Sequence, residues 1–147
     1  MTNEIAVQAL PVARAIDVMA FLRRFYGPDF YGAEERYFRW LYLDSPCRWY
    51  APRRTAGEMP VNAILGARGE LLGIHAYLPF DARTPWGGTR GIWDIEWING
   101  DGPHGGGRAL AGRLLSEVDV YAGFGCNGLS AVAFGRMGMT LVPEVGR

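Results

Sequence analysis

Apolar residues recur along this chain in two rhythms, and their alternation predicts a mixed order of strands and helices. Glu4 to Leu10 alternates, with Ile5 and Val7 on one face, and reads as a short strand. Pro11 suits the first turn of a following helix. From 12 to 26 the apolar positions Val12, Ile16, Met19 and Leu22 keep helical spacing, and Gly27-Pro28-Asp29 ends the run. A second helix is predicted over 32–43, with Tyr37, Trp40 and Leu41 on one side and Glu34, Glu35, Arg36 and Arg39 mostly on the other; Asp44-Ser45-Pro46 stops it.

Arg48 to Met59 reads as a polar connection, a substrate-side loop or a solvated linker. Strands over 61–67 and 71–80 flank the tight turn Arg68-Gly69-Glu70 and form a hairpin. Asp81 to Thr89 reads as the next turn, and 91–98 as the third strand of a meander. A glycine loop and a helix over 106–117 follow. A short buried strand over 120–126 and a last helix over 128–137 complete the predicted order, β-α-α-β-β-β-α-β-α, in 147 residues that suit a single domain. The fold class is α/β in the broad sense (α+β), a mixed central sheet flanked by helices.

Composition narrows the function classes. Hydrophobic residues make up 49% and charged residues 20%, the balance of a water-soluble globular chain. The formal net charge of +0 offers nothing to a nucleic acid or an anionic membrane surface. All 15 basic residues are arginine, which removes Schiff-base chemistry and the lysine of a P-loop. The 2 cysteines, Cys47 and Cys126, make no disulfide framework, and Met1-Thr2-Asn3-Glu4 lacks the basic start of a signal peptide, so the expected location is cytoplasmic. Two histidines and two separated cysteines make no metal site. Cys126 reads as a small core thiol, and His75, inside a hairpin strand, as structural.

The stretch with the densest chemistry is Trp93 to Leu110. It reads as a strand rich in aromatic and β-branched residues, then the loop Asn99-Gly100-Asp101-Gly102-Pro103-His104-Gly105-Gly106-Gly107, then a helix opening at Arg108-Ala109-Leu110. A glycine-rich turn feeding a helix N-terminus leaves amide N–H groups aimed at one place, where the helix dipole also favours negative charge. A phosphate-bearing cofactor is the expected ligand. A dinucleotide site fits less well, because the loop follows an antiparallel meander rather than opening a βαβ unit.

This order of elements, with the glycine loop after the fourth strand, resembles the GNAT superfamily of acyl-CoA-dependent N-acyltransferases. Of that family's loop signature (Arg or Gln, two residues, Gly, any residue, then Gly or Ala, with Leu three residues on), Gly105, Gly107 and Leu110 match, while the Arg/Gln position is Gly102. A second signature, in the last helix, is matched by Asn127, Ser130, Ala133-Phe134 and Gly138-Met139, with Phe134 where the family has Tyr. Phe38-Arg39-Trp40-Leu41-Tyr42-Leu43-Asp44-Ser45-Pro46 is similar to a GNAT subgroup linked to surface-polysaccharide synthesis. The GNAT fold ordinarily continues with two further strands, so a truncated C-terminus is expected at Arg147.

The resemblance implies acetyl-CoA or another acyl-CoA as co-substrate and a small-molecule amine as acceptor. The loop residues His104, Gly105, Gly106, Gly107 and Arg108 would hold the pyrophosphate. The strand backbone at Trp97, Ile98 and Asn99 would meet the pantetheine arm, with Asn127 as a further contact. The candidate bases are Glu96 and Asp94, placed on one face by strand alternation, with Trp93, Ile95 and Trp97 on the other. A carboxylate half-buried among tryptophans should have a raised pKa. The competing reading pairs both carboxylates with Arg90, Arg108 or Arg113.

In many GNAT enzymes the tyrosine at the Phe134 position is the proposed acid for the departing thiolate, and Phe cannot donate a proton. Tyr121 and Tyr50 are the alternatives. Trp40, Trp49, Trp86, Trp93 and Trp97 could line an acceptor groove or fill the core. The alternative function is a non-catalytic CoA-binding or partner-binding module, with an incomplete sheet edge open to a homodimer.

Overall fold

A computed structural model describes residues 5–123 and 128–140. Its centre is one five-stranded sheet in the order β1-β2-β3-β4-β5, formed by β1 (Gln8–Pro11), β2 (Glu58–Leu65), β3 (Leu71–Thr84), β4 (Gly87–Ile98) and β5 (Val120–Gly123). The first four strands pair antiparallel and β5 lies parallel to β4. Helices α1 (Ala15–Tyr26) and α2 (Glu35–Phe38) cover one face; α3 (Ala51–Thr55), α4 (Gly106–Leu115) and α5 (Gly128–Arg136) belong to the other.

Each face has its own core. Under α1 and α2 lie Leu10, Leu22, Phe38, Val61, Ala63, Ile74, Ala76 and Ile98. Toward α4 lie Tyr50, Tyr77, Ile92 and Leu114. The alternation of β2 and β3 sends successive residues to opposite faces, and β2 and the first half of β3 are buried almost throughout.

Several elements depart from the pattern read in the sequence. The first helix begins as a 3₁₀ turn at Val12–Arg14, and its buried stripe is Val18, Met19, Phe21 and Leu22. Ile16 stays 74% exposed, because the tighter first turn rotates the apolar stripe. The 32–43 helix is three pieces: a 3₁₀ turn at Tyr31–Ala33, α2, and a π turn at Arg39–Leu43 closed by Asp44 N–H donating to Arg39 O at 2.9 Å. The wide turn carries Leu41 and Tyr42 inward and leaves Trp40 63% exposed, so Trp40 and Leu41 do not share a side.

The 48–59 connection contains α3 and the start of β2, and it is docked rather than loose. The Asp81 carboxylate accepts from the Arg48 and Trp49 amides at 2.9 and 3.3 Å, Trp49 Nε1 donates to Phe80 O at 2.9 Å, and Arg53 pairs with Glu117 at 2.7 Å. The 81–89 segment is not a turn. β3 and β4 stay paired as far as Thr84 and Gly87, leaving Pro85-Trp86 as the connection, with Trp86 N–H donating to Thr84 Oγ1 at 3.3 Å.

The burial pattern makes a sharp prediction for α1. Leu22→Ala should cost about 2–5 kcal/mol by opening a cavity in a closed core, whereas Ile16→Ala should fall within about 0.5 kcal/mol of wild type. Urea unfolding of the two variants checks both.

Candidate functional site

The site is built around β4, and its decisive feature is a β-bulge. β3 and β4 are in register from Thr84↔Gly87 to Tyr77↔Asp94, and the next pair is Ala76↔Glu96. Ile95 is the extra residue. Asp94 therefore shares the face of Tyr77, and Glu96 the opposite face of Ala76. This overturns the expectation that alternation puts both carboxylates together, with Trp93 and Trp97 on the reverse. A one-residue bulge inverts everything after it.

On the α1 face, Tyr26 at the end of α1 donates its hydroxyl to Glu96 Oε2 at 2.6 Å. Burial raises the Glu96 pKa; the Tyr26 hydrogen bond opposes this, and the charge of Asp94 adds to it. The Tyr26 hydroxyl is pushed up in turn by its own burial and by Glu96. Tyr42, further inside, is raised by burial and then by the same carboxylate. The surroundings of Glu96 are thus tyrosines rather than tryptophans, and among the described residues no guanidinium pairs with it.

On the α4 face, Asp94 meets His75, whose ring is fully buried. His75 Nε2 lies 2.9 Å from Asp94 Oδ1 and 2.9 Å from the Tyr121 hydroxyl, and Nδ1 faces Leu110 O at 3.4 Å. β3, β4, β5 and α4 each supply one member of this cluster. Sequence reading took His75 as structural and had no register with which to join it to Asp94. The pairing of Ile92 with Tyr121 and of Tyr77 with Asp94 creates the contact.

The glycine loop is as tight as its composition suggests. Gly105 caps α4 at φ +85°, a conformation that suits glycine. A Cβ on Gly106 would lie 2.2 Å from Asn99 Oδ1 and 2.9 Å from Ile64, and a Cβ on Gly102 would again meet Asn99 Oδ1 at 2.2 Å. The Gly102 departure from the family signature thus has a local cause: the loop wraps the Asn99 amide too closely for a side chain. Asn99 Nδ2 donates to Pro103 O at 3.0 Å and braces the loop.

Gly106 N–H is taken inside the loop by Pro103 O at 2.9 Å. Among the described residues, the amides of Gly105, Gly107 and Arg108 have no acceptor, and the His104 and Arg108 side chains are exposed beside them. Three unspent donors at a helix N-terminus, flanked by a guanidinium, fit a phosphate group.

Next to this loop, β5 stops pairing with β4 after Gly123↔Asp94, so the Ile95–Ile98 edge has no strand partner on that side among the described residues. The Ile98 side chain is buried in the α1-side core. Trp97 donates Nε1 to Gly107 O at 2.8 Å and lies against Phe134 of α5, with ring centroids 4.7 Å apart. Phe134 also meets the Tyr121 ring at 5.8 Å. Asn127 and Cys126 fall outside the described residues.

Arg90 and Arg113 pair with Asp119 and Glu117, and Arg108 is exposed beside the glycine loop, so none of the three expected arginine partners pairs with Asp94 or Glu96 among the described residues. Tyr50 is buried against Tyr77, its hydroxyl raised mainly by burial. The tryptophans divide: Trp49 and Trp97 are pinned by hydrogen bonds, while Trp40, Trp86 and Trp93 are exposed. No helix of the described residues is long and apolar enough to cross a membrane.

This geometry has counterparts among solved structures. An acetyltransferase from Trypanosoma brucei superposes with a TM-score of 0.62 at 13% identity, covering 98% of both chains. A GCN5-related N-acetyltransferase from Ralstonia eutropha gives 0.58 at 15%, covering 97% of this chain and 96% of its own. An integron cassette protein from V. cholerae gives 0.59 at 11%, covering 99% and 91%. No family model and no curated protein sequence matches the chain. The mixed five-stranded sheet and its flanking helices have the GNAT acetyltransferase fold.

Two predictions follow from the site's packing. The raised Glu96 carboxyl binds a proton more readily in the folded than in the unfolded chain. Its contribution to stability is fully present below the ordinary glutamate value of about 4.3 and is lost as pH rises through the higher folded value. Glu96→Gln should therefore raise the melting temperature at neutral pH, and the gain should vanish in acid. Gly106→Ala should destabilise by about 1–3 kcal/mol through its clash with Asn99 and Ile64, visible as a lower denaturant midpoint.

Proposed function

We propose that this chain is an acyl-CoA-dependent N-acyltransferase acting on a small-molecule amine. The observation that carries the reading is the juxtaposition, among the described residues, of the Gly105, Gly107 and Arg108 amides, which have no acceptor, with the Ile95–Ile98 edge of β4, which has no strand partner on the β5 side. The first suits the pyrophosphate of an acyl-CoA. The second suits its amide-bearing arm, which would pair along that edge. Acyl-CoA would bring the activated thioester. The chain's own part is to hold it, to take a proton from the amine, and to keep water away.

Glu96 is the base in this proposal. It sits on β4 beside that edge, half-buried, with its pKa raised by burial and no arginine paired with it among the described residues. Asp94 is on the other face and tied to His75, so it acts on position rather than on the amine. Phe134 occupies the place of the family's acid. Tyr121, against Phe134 and bonded to His75, is better placed than Tyr50 to hand a proton to the leaving sulfur. Phe134 is also the observation that favours the second reading, a non-catalytic CoA-binding module. The similarity of Phe38–Pro46 to proteins linked to surface-polysaccharide synthesis points to an amino sugar as one acceptor to try.

Calorimetry should show acetyl-CoA binding that weakens as salt rises. Gly107→Pro, which deletes one of the three free amides, should weaken it about tenfold, the worth of one hydrogen bond to a charged group. No binding by the wild-type protein at millimolar ligand would sink both readings. Where transfer is seen with a panel of amines, kcat/KM should rise with pH to a plateau as Glu96 loses its proton, and Glu96→Gln should remove that limb. Binding without transfer would leave the module reading.

A further inference from the structure

The α1 face carries a run of aromatic side chains in which Phe30 and Tyr37 pack against the core while Tyr26, Tyr31 and Trp40 stay open to solvent. Tyr26 packs on Phe30 (centroids 4.4 Å apart), Phe30 on Tyr31 (5.3 Å), Tyr31 on Tyr37 (5.3 Å) and Tyr37 on Trp40 (5.6 Å). Such a run would be ordinary in a core. Here Tyr26, Tyr31 and Trp40 are 47%, 68% and 63% exposed. The strip is also held in place. Arg23 donates to Ala33 O at 2.5 Å and ties the 3₁₀ turn to α1. Gly32 leaves room for the Phe30 ring, which would lie 2.5 Å from any Cβ there. The π turn after α2 swings Trp40 outward.

One end of the strip is Glu96. Tyr26 donates to its Oε2, Oε1 has no hydrogen-bond partner among the described residues, and Tyr37 and Tyr42 both sense its charge. A half-buried carboxylate that pairs with no cation among the described residues, at the end of exposed aromatic faces, is complementary to a molecule of matching polarity. That molecule is a cation joined to a flat apolar body. A polyamine would leave the rings unused, and an anion would meet Glu96. The strip is short and ends at a charge, which suits a small molecule better than a second copy of the chain.

We infer that the acceptor is a primary amine carried on an aromatic ring or a body of that shape, its ammonium at Glu96 and its ring on Tyr26, Phe30, Tyr31 and Trp40. This rests on the acyl-transfer reading for the word acceptor but not for the binding site. The strip and Glu96 stand without a cofactor.

The test is calorimetric titration of the full chain with phenylethylamine, butylamine and 3-phenylpropionate, and separately with CoA. Phenylethylamine should bind at least about tenfold more tightly than butylamine, the expected worth of ring contacts, and 3-phenylpropionate should bind least. Tyr31→Ala combined with Trp40→Ala removes two exposed rings and no core. It should abolish the preference for phenylethylamine while leaving CoA binding within about twofold and the melting curve unchanged. Glu96→Gln should weaken phenylethylamine and butylamine alike.

Equal binding of the two amines, or a preference untouched by the double variant, overturns the inference. So does concentration-dependent dimerisation that the double variant abolishes, which would make the strip a contact between copies. Phenylethylamine binding without CoA binding would keep the amine site and discard acyl transfer. CoA binding without phenylethylamine binding would do the reverse.

Discussion

The extra residue at Ile95 is the constraint on which the rest of this site depends. A regular strand would put Asp94 and Glu96 side by side, and two carboxylates on one face would compete for the same surroundings. The bulge separates them. One faces a buried imidazole under α4, and the other a patch of tyrosines under α1. The same distortion falls just beyond Asp94↔Gly123, the last β4–β5 pair among the described residues. Bulges re-aim side chains, and here one residue does so for both carboxylates.

The two faces then have different tasks. On the α4 face a connected set of polar groups is committed to holding something. His75 collects Asp94, Tyr121 and Leu110 O, Trp97 holds Gly107 O, and Asn99 holds Pro103 O. These contacts fix the glycine loop against the sheet from below, leaving its remaining amides aimed outward. On the α1 face the neighbours of Glu96 are tyrosines, and Tyr26, Tyr31 and Trp40 are open to solvent. A rigid donor array on one side and a carboxylate beside exposed rings on the other are what the proposed reaction between an anionic carrier and a cationic amine would require of its container.

The order of elements, the 68–70 turn, the glycine loop and the apolar strands were legible in the sequence because each has a local signal: a period, a breaker or a composition. The bulge was not. Trp93-Asp94-Ile95-Glu96-Trp97-Ile98 alternates without fault as text, and the insertion exists only relative to β3. A signal was present in Ile92, Ile95 and Ile98, whose spacing of three breaks the period of two that a single buried face requires. The π turn hides in the same way, since one residue too many in a helix changes no residue type. The extended β3–β4 hairpin was missed because Asp81, Arg83, Gly87 and Gly88 look like a loop but pair as strand. His75 illustrates the general limit: its partners come from 19, 35 and 46 positions away, and only register brings them together.

Phe134 is the residue on which the proposed chemistry turns. Its ring is buried against Trp97 and Tyr121, so a tyrosine at this site would have to fit its hydroxyl beside the same two rings. The packing accounts for why an apolar ring is stable there, because Trp97 is itself held by Gly107 and cannot move away. What the chain keeps is a hydroxyl on the neighbouring ring, Tyr121, bonded to His75, which also holds Asp94. Asp94 and the Tyr121 hydroxyl meet the same imidazole nitrogen, so Asp94 fixes the ring that positions that hydroxyl. The bulge that takes Asp94 away from the amine side is what makes it available for this.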